Sequence, residues 1–326
     1  MRTLLLATAG LLVASGGAFA NDYGRRHHGP QTIEDYYAAA LAVNIGGVSG
    51  NTSETGFGQA ASARMNGGFD GMRGVANVNQ NAGANSAQQN SVAVAYVEGC
   101  DCEVTVSRHD RSRGDADANA VAGNGARVEG NGSSNGHFLF GGGGSAAASM
   151  NGGFQNATGV VQVNQNTGAN SAQQNATAVV YVDGIQGQQQ DRDAWAVSAN
   201  LGAVGGNGSF GAGHDASARM TDSFTGFTGA ANVNQNAGAN SLQQNATSLS
   251  AITYCNCAAQ DLSTTIAAAG NFGSVSYNQA TALGGSASAT MANSFNGATG
   301  VAQVNQNAGA NSLMQNSVSV GAIYQR

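Results

Sequence analysis

The sequence predicts an all-β repeat protein, a β-solenoid or stacked β-arch (cross-β) architecture with four repeats. Three observations carry this. A twelve-residue string returns four times, Val and amide residues alternate at period two beside it, and few bulky apolar groups are present to fill a wide core. Gly supplies 49 of 326 residues, aromatics 6% and charged residues 9%, with one Pro, where a typical globular chain has about 7% Gly and about 25% charged residues. Chains rich in Gly, Ser, Asn and Gln are often disordered. Disordered chains, however, are highly charged and poor in β-branched residues, and here Val is interleaved with amides.

The N-terminus comes first. Arg2, an apolar stretch from Leu4 through Val13 and the small-residue end Ala18-Phe19-Ala20 read as a cleaved secretory signal, with the mature chain starting at Asn21. The apolar run is short for the roughly twenty residues of a transmembrane helix, and no later segment supplies one. No transmembrane anchor is therefore expected, and the expected location is extracellular or at the cell surface. Arg25, Arg26, His27 and His28 read as a solvated tail. Residues 31–43, with Thr32 as an N-cap, suit either one short helix or the first strand of the solenoid.

The repeat is carried by NQNAGANSAQQN at 79–90, NQNTGANSAQQN at 164–175, NQNAGANSLQQN at 234–245 and NQNAGANSLMQN at 305–316. Gln80, Gln165, Gln235 and Gln306 lie 85, 70 and 71 residues apart. Upstream, Met65, Met150, Met220 and Met291 are followed at fixed distance by Phe69, Phe154, Phe224 and Phe295, then by Gly74, Gly159, Gly229 and Gly300. Each unit reads as a shared stretch of about thirty residues and a variable spacer of about forty. The chain divides into a signal peptide (1-20), an N-terminal tail (21-36), repeat 1 (37-103), a charged spacer (104-116), repeat 2 (117-184), a spacer (185-193), repeat 3 (194-257) and repeat 4 (258-326).

Inside the shared stretch, 78–81 and 85–97 read as two extended arms joined at Ala82-Gly83-Ala84. Gly83, Gly168, Gly238 and Gly309 are expected to turn the chain in a conformation closed to residues with a side chain. Position 87 becomes Leu242 and Leu313 in the later copies, so the face bearing Asn85 and Gln89 is expected to turn inward. Val92 and Val94 point the opposite face inward over the last few residues.

Stacking such arches about 4.8 Å apart sets identical amides above one another, each NH₂ donating to the next C=O. That satisfies groups otherwise costly to bury. The expected ladder comprises Asn79, Gln80, Asn85 and Gln89 in repeat 1 and Asn164, Gln165, Asn170 and Gln174 in repeat 2. Repeat 3 adds Asn234, Gln235, Asn240 and Gln244, and repeat 4 adds Asn305, Gln306, Asn311 and Gln315.

The motif Val-Asn-Gln-Asn-x-Gly-Ala-Asn-Ser-x-x-Gln-Asn, followed by alternating Val, Ala and Thr, resembles the repeats of secreted bacterial functional amyloids. Its long repeat with variable spacers is similar to the Fap fibre subunits. Gln80, Gly83, Asn85 and Gln89 also echo the order in curli subunits, with the Gln-to-Gly spacing one residue longer. The resemblance covers the four shared stretches and not the spacers. It implies export through outer-membrane machinery, self-association into extracellular fibres and a structural role in biofilm or attachment. Where Fap subunits carry Cys-x-x-Cys near the C-terminus, this chain has Cys-x-Cys twice, both internal.

Cys100 and Cys102 occupy the same place in repeat 1 as Cys255 and Cys257 in repeat 3. Rungs stacked in order would hold these places about 9.6 Å apart, beyond the roughly 7 Å Cα limit of a disulfide. All four are candidates for disulfides, with the pairing open: within each Cys-x-Cys, between molecules, or in another packing. A thiolate metal site is the alternative, but the spacing is tighter than the usual Cys-x₂₋₄-Cys of zinc. No metal or other cofactor is expected.

The repeated positions hold Asn, Gln, Gly, Ala, Ser and Val, and amides do not exchange protons near neutral pH. The five histidines share no register, and Ser86 has no neighbouring base, so it reads as a ladder or turn hydroxyl. No catalytic residue, and no enzyme, is expected. With net charge −6 and no Lys, no nucleic acid is expected as a partner. The sequence therefore points to a secreted subunit that self-assembles into a fibre. The alternative is a monomeric exported β-solenoid that binds carbohydrate, mineral or ice, though only Thr177 and Thr247 recur at one position.

Overall fold

The computed structural model describes residues 36–55, 60–98, 116–135, 145–183, 192–212, 215–254, 263–283 and 285–325. They form twenty strands and, among the described residues, no helix. Repeat 1 contributes β1 (Tyr36–Ser49), β2 (Thr52–Thr55), β3 (Ala60–Asn66), β4 (Arg73–Asn81) and β5 (Ala87–Glu98). Repeat 2 contributes β6 (Ala116–Glu129), β7 (Gly132–Asn135), β8 (Ser145–Asn151), β9 (Thr158–Asn166) and β10 (Ala172–Asp183). In repeat 3 they are β11 (Arg192–Gly205), β12 (Gly208–Ala212), β13 (Asp215–Thr221), β14 (Thr228–Asn236) and β15 (Leu242–Tyr254). Repeat 4 closes the series with β16 (Ser263–Ser276), β17 (Gln279–Leu283), β18 (Ala287–Ala292), β19 (Thr299–Asn307) and β20 (Leu313–Gln325).

Corresponding strands pair in parallel in five four-stranded sheets, each ordered by repeat. One repeat is one rung. The register places like on like: Asn79 pairs with Asn164, Asn164 with Asn234 and Asn234 with Asn305. Such a stack stabilises each rung mainly through its neighbours.

Within a rung the chain coils inward. β5 lays one face on β1 and its equivalents, where Ala93, Ala95 and Val97 meet Ala118 and Ala120. Its other face meets β4, with Asn90 Nδ2 donating to Asn79 Oδ1 at 2.9 Å. The far face of β4 meets the β3 sheet, Gln80 Nε2 donating to Ser149 O at 3.3 Å. β4 and β5, with their equivalents, are thus the two inner layers. β10 is buried without interruption from Ala172 to Ala178.

The arms therefore do not divide into one inner and one outer face. The Asn85/Gln89 face packs against the first sheet, as when Gln174 Nε2 donates to Leu201 O at 3.1 Å. The opposite face is covered as well, as far as Thr177, which accepts from Gln162 Nε2 at 2.8 Å. Past that point the cover of the β4 sheet ends, and Val94 is 45% exposed.

One alternative is settled and one expectation is corrected. From Tyr36 onward the segment read as either helix or strand is β1, because its Ala38, Ala40 and Ala42 alternate against the core formed with β5; residues 31–35 lie outside the described residues. The variable spacers are also less variable than they look, since fourteen-residue strands within them pair in full register. A pattern Asn-x-Gly/Ala-x-Val-x-x-Asn underlies this, beginning at Asn44, Asn124, Asn200 and Asn271.

Between β3 and β4 the Met and Phe columns form a second core. Phe69, Phe154, Phe224 and Phe295 stack with centroids 5.0, 5.0 and 4.5 Å apart. Each takes a left-handed φ of 60–62°, which costs a side-chain-bearing residue roughly 1–2 kcal/mol. Aromatic stacking, at about 0.5–1.5 kcal/mol per pair beyond burial, offsets this.

Candidate functional site

The β4–β5 turn is where the repeated string does most. Asn85, Asn170, Asn240 and Asn311 adopt left-handed φ values of 50–54°, a conformation Asn tolerates better than most residues. The turn glycines do not. Gly83, Gly168, Gly238 and Gly309 are needed for close approach instead: a Cβ on Gly83 would lie 2.1 Å from Gly168 O, on Gly168 1.9 Å from Gly238 O, and on Gly238 1.8 Å from Gly309 O. Gly309 is the exception, its nearest atom being Asn307 Oδ1 at 3.6 Å. The expectation of a conformation closed to side chains is thereby corrected: the backbone of the next rung, not φ, excludes the side chain.

Amide columns run through all four rungs. Asn164 donates to Asn79, Asn234 to Asn164 and Asn305 to Asn234, at 3.0, 3.0 and 3.1 Å. The Gln165, Gln235 and Gln306 side chains donate in the same sense at 2.6–2.7 Å, beginning on Gln80. Gln174, Gln244 and Gln315 do likewise from Gln89, at 3.1, 2.7 and 2.6 Å. The Asn85 column runs the other way, Asn85 donating to Asn170, Asn170 to Asn240 and Asn240 to Asn311, at 3.2, 3.2 and 3.0 Å.

Sequence reading passed over further columns. Asn81, Asn166, Asn236 and Asn307 bridge at 2.8–2.9 Å, and Asn90, Asn175, Asn245 and Asn316 at 3.0–3.3 Å. Gln88 donates to Gln173 and Gln173 to Gln243 at 2.8 and 2.9 Å, but Gln243 then meets Met314 Sδ at 3.8 Å. These positions recur in the string and were open to inference. The columns through Asn44 and Asn51 lay in the spacers. Asn124 donates to Asn200 at 2.9 Å, and Asn131 to Asn207 at 3.1 Å; their signal is the spacer pattern described above.

Like must sit on like. Where Asn77, Gln162, Asn232 and Gln303 alternate in length, no ladder forms, and Gln162 and Gln303 keep a buried Oε1 without a partner. Ser86 Oγ donates to Ala84 O at 3.0 Å and accepts from Asn166 Nδ2 at 2.8 Å. Thr177 and Thr247 are fully buried. Among the described residues no three His, Cys, Asp or Glu side chains gather where they would hold a metal ion. Cys100, Cys102, Cys255 and Cys257, like all five histidines, lie outside the described residues.

The ladders and the two ends of the stack set what this arrangement can do: among the described residues, no further strand pairs with the first or the last rung of any of the five sheets. A model of the functional amyloid protein FapB/FapC family matches residues 133–323. The chain belongs to this family. The span matched to FapB/FapC includes the strings at 164–175, 234–245 and 305–316. No curated protein and no solved structure matches the chain. FapB/FapC membership places it among functional amyloids, a structural class. Among the described residues no helix is long and apolar enough to cross a membrane.

Proposed function

We propose that the chain is a secreted structural subunit that stacks end to end into an extracellular amyloid-type fibre of biofilm matrix or attachment. The outermost rung carries the proposal. Natural edge strands are blunted with charge, Pro or a covering element. From Ser263 to Gln325 this edge rung holds no Asp, Glu, Lys, Arg, His or Pro. Its Gln306 and Gln315 are the last members of columns whose every earlier carbonyl accepts from the rung above. Rung 1 of a second copy supplies the matching NH₂ groups at Gln80 and Gln89, so the columns continue across a head-to-tail junction.

Gly309 tests this. An added Cβ meets nothing tight within the monomer. At a junction of the same register it would face Gly83 O of the next copy, as a Cβ on Gly238 would face Gly309 O at 1.8 Å. Mature chain diluted from denaturant is expected to form filaments with reflections at about 4.7 and about 10 Å. Gly309→Ala is expected to give the same β-rich circular dichroism but no elongation. Wild-type chain that remains a folded monomer at high concentration would overturn the fibre and turn attention to ligand binding. Filaments of Gly309→Ala growing at the wild-type rate would overturn the in-register junction.

A further inference from the structure

The stacking junction uses the ends of the solenoid; its sides are a separate matter. We infer that the outer face of the β1–β6–β11–β16 sheet is a second interface between copies of this chain, joining two stacks side by side. The inference rests on the fibre reading above for its filament arm only.

Alternation fixes which residues face outward. Ala38, Ala40 and Ala42 point into the core with β5, which leaves Leu41, Val43 and Ile45 on the outside. Register then aligns Leu41 with Val121, Val197 and Ala268 in one column. A second column sets Ile45 beside Gly125, Leu201 and Phe272. A third brings Trp195 next to Ile266. Leu41 is 56% exposed and Phe272 63%. Exposed apolar patches beyond a few hundred Å² mark interaction surfaces, above all when they have a polar rim. Here the rim is supplied at one end by Asp193 and Thr264, and at the other by the ion-paired Arg127 and Glu129 with Ser276.

The face is also shaped for its own kind. Between the first two columns runs a column of Val43, Gly123, Ala199 and Gly270, small in three of its four rungs. Ridge beside groove on a regular parallel sheet is the relief that interdigitates when two identical sheets meet in a dry zipper. Rotating one stack by half a turn about the stacking axis sets the Val121 and Val197 ridge of each copy against the Gly123 and Ala199 groove of the other. With 14-residue strands in a four-stranded sheet, ~3.3 Å per residue and ~4.8 Å per strand give about 900 Å² per copy. A standard protein interface takes about 800 Å² per partner.

Two of the chain's own remaining segments, 99–115 and 184–191, are poor candidates for covering this face. Residues 99–115 carry Asp101, Glu103, Arg108, Asp110, Arg111, Arg113 and Asp115, and 184–191 hold Gln186 and Gln188-Gln189-Gln190. A second copy matches the apolar patch where these charged and amide-rich segments do not.

The test is the paired substitution Val121→Lys with Val197→Lys, which sets two charges on the ridge. Mass per unit length of the filaments is read by scanning transmission electron microscopy. Wild-type filaments are expected to carry two stacks in cross-section and the variant one, a twofold drop with the 4.7 Å spacing retained. An unchanged mass per length overturns the lateral interface while leaving end-to-end stacking intact. Should no filament form at all, the stacking reading is the one that fails, and the lateral face is read from sedimentation of the folded full-length mature chain. A dimer that the paired substitution dissociates supports the interface, and a wild-type monomer at high concentration overturns it. Ala203→Lys, outside the apolar columns, controls for added charge and is expected to leave either readout unchanged.

Discussion

Asn234 on β14 donates from Nδ2 to Oδ1 of Asn175 on β10, 3.0 Å away across two facing sheets. The same nitrogen reaches Asn164 Oδ1 at 3.0 Å, and Asn234 Oδ1 accepts in turn from Asn245 and Asn305 at 3.0 and 3.1 Å. Two columns on neighbouring sheets are thereby knitted into one. Replacing Asn234 with Leu keeps the size but strands several buried partners, each costing about 1–3 kcal/mol. Asn234→Leu is expected to lower unfolding free energy by about 3 kcal/mol or more by urea titration, and Asn316→Leu, at the edge rung, by about 1 kcal/mol.

The change from Ala87 and Ala172 to Leu242 has its answer on the facing sheet. A Cβ on Gly202 would lie 2.8 Å from Leu242 Cδ1, and one on Gly273 2.6 Å from Leu242 Cδ2. In rung 2 the place of Gly202 belongs to Ala126, in the same cluster as Ala172. Gly202→Ala is expected to overpack at a cost of about 1–3 kcal/mol. Combined with Leu242→Ala it is expected to cost at least about 1 kcal/mol less than the two single changes summed, a coupling that a double-mutant cycle measures.

Tyr277 stands where the earlier rungs have Gly50, Gly130 and Gly206, all with φ near 65°. It keeps the left-handed φ, at 54°, and is 93% exposed. Left-handed backbone costs a residue with a Cβ roughly 1–2 kcal/mol, and little burial offsets it. Tyr277→Gly is expected to raise the urea midpoint, adding about 1 kcal/mol of stability.

Met314 ends the column that starts at Gln88, since its thioether is a weak acceptor and cannot donate. Met314→Gln is expected to stabilise the folded chain by about 0.5–1.5 kcal/mol, seen as a higher urea midpoint. It also supplies a donor toward Gln88 of a following copy, so seeded elongation is expected to quicken.

The four-rung architecture was legible because the string at 79–90 repeats almost letter for letter, and stacking identical amides in register is its simplest use. Which faces are buried was not legible in the same way. Period two marks burial only where one face meets water, and β10 is covered on both sides from Ala172 to Ala178. The spacer strands escaped notice because their shared chemistry is thin. Asn124 and Asn131 have counterparts in every rung, but between them only the small residue at 126, the inward Val128 and the left-handed position 130 are constrained, and the other positions change freely. Gly83 was read for its conformational freedom, when the demand on it comes from Gly168 one rung away. Such a contact between distant residues leaves no local pattern to read.

The inward coil of each rung has a mechanical consequence. Strands of five sheets lie across the stacking axis, so their backbone bonds and the amide bridges at Asn164, Gln165 and Gln174 all point along it. Pulled lengthwise, a stack of this kind shares the load over the whole cross-section at once, and no bond can give way before its neighbours. Peeling a single strand from the edge would instead break bonds one at a time. A fibre stacked from such rungs, as proposed above, would be strong in tension and weak to being unzipped from its tips.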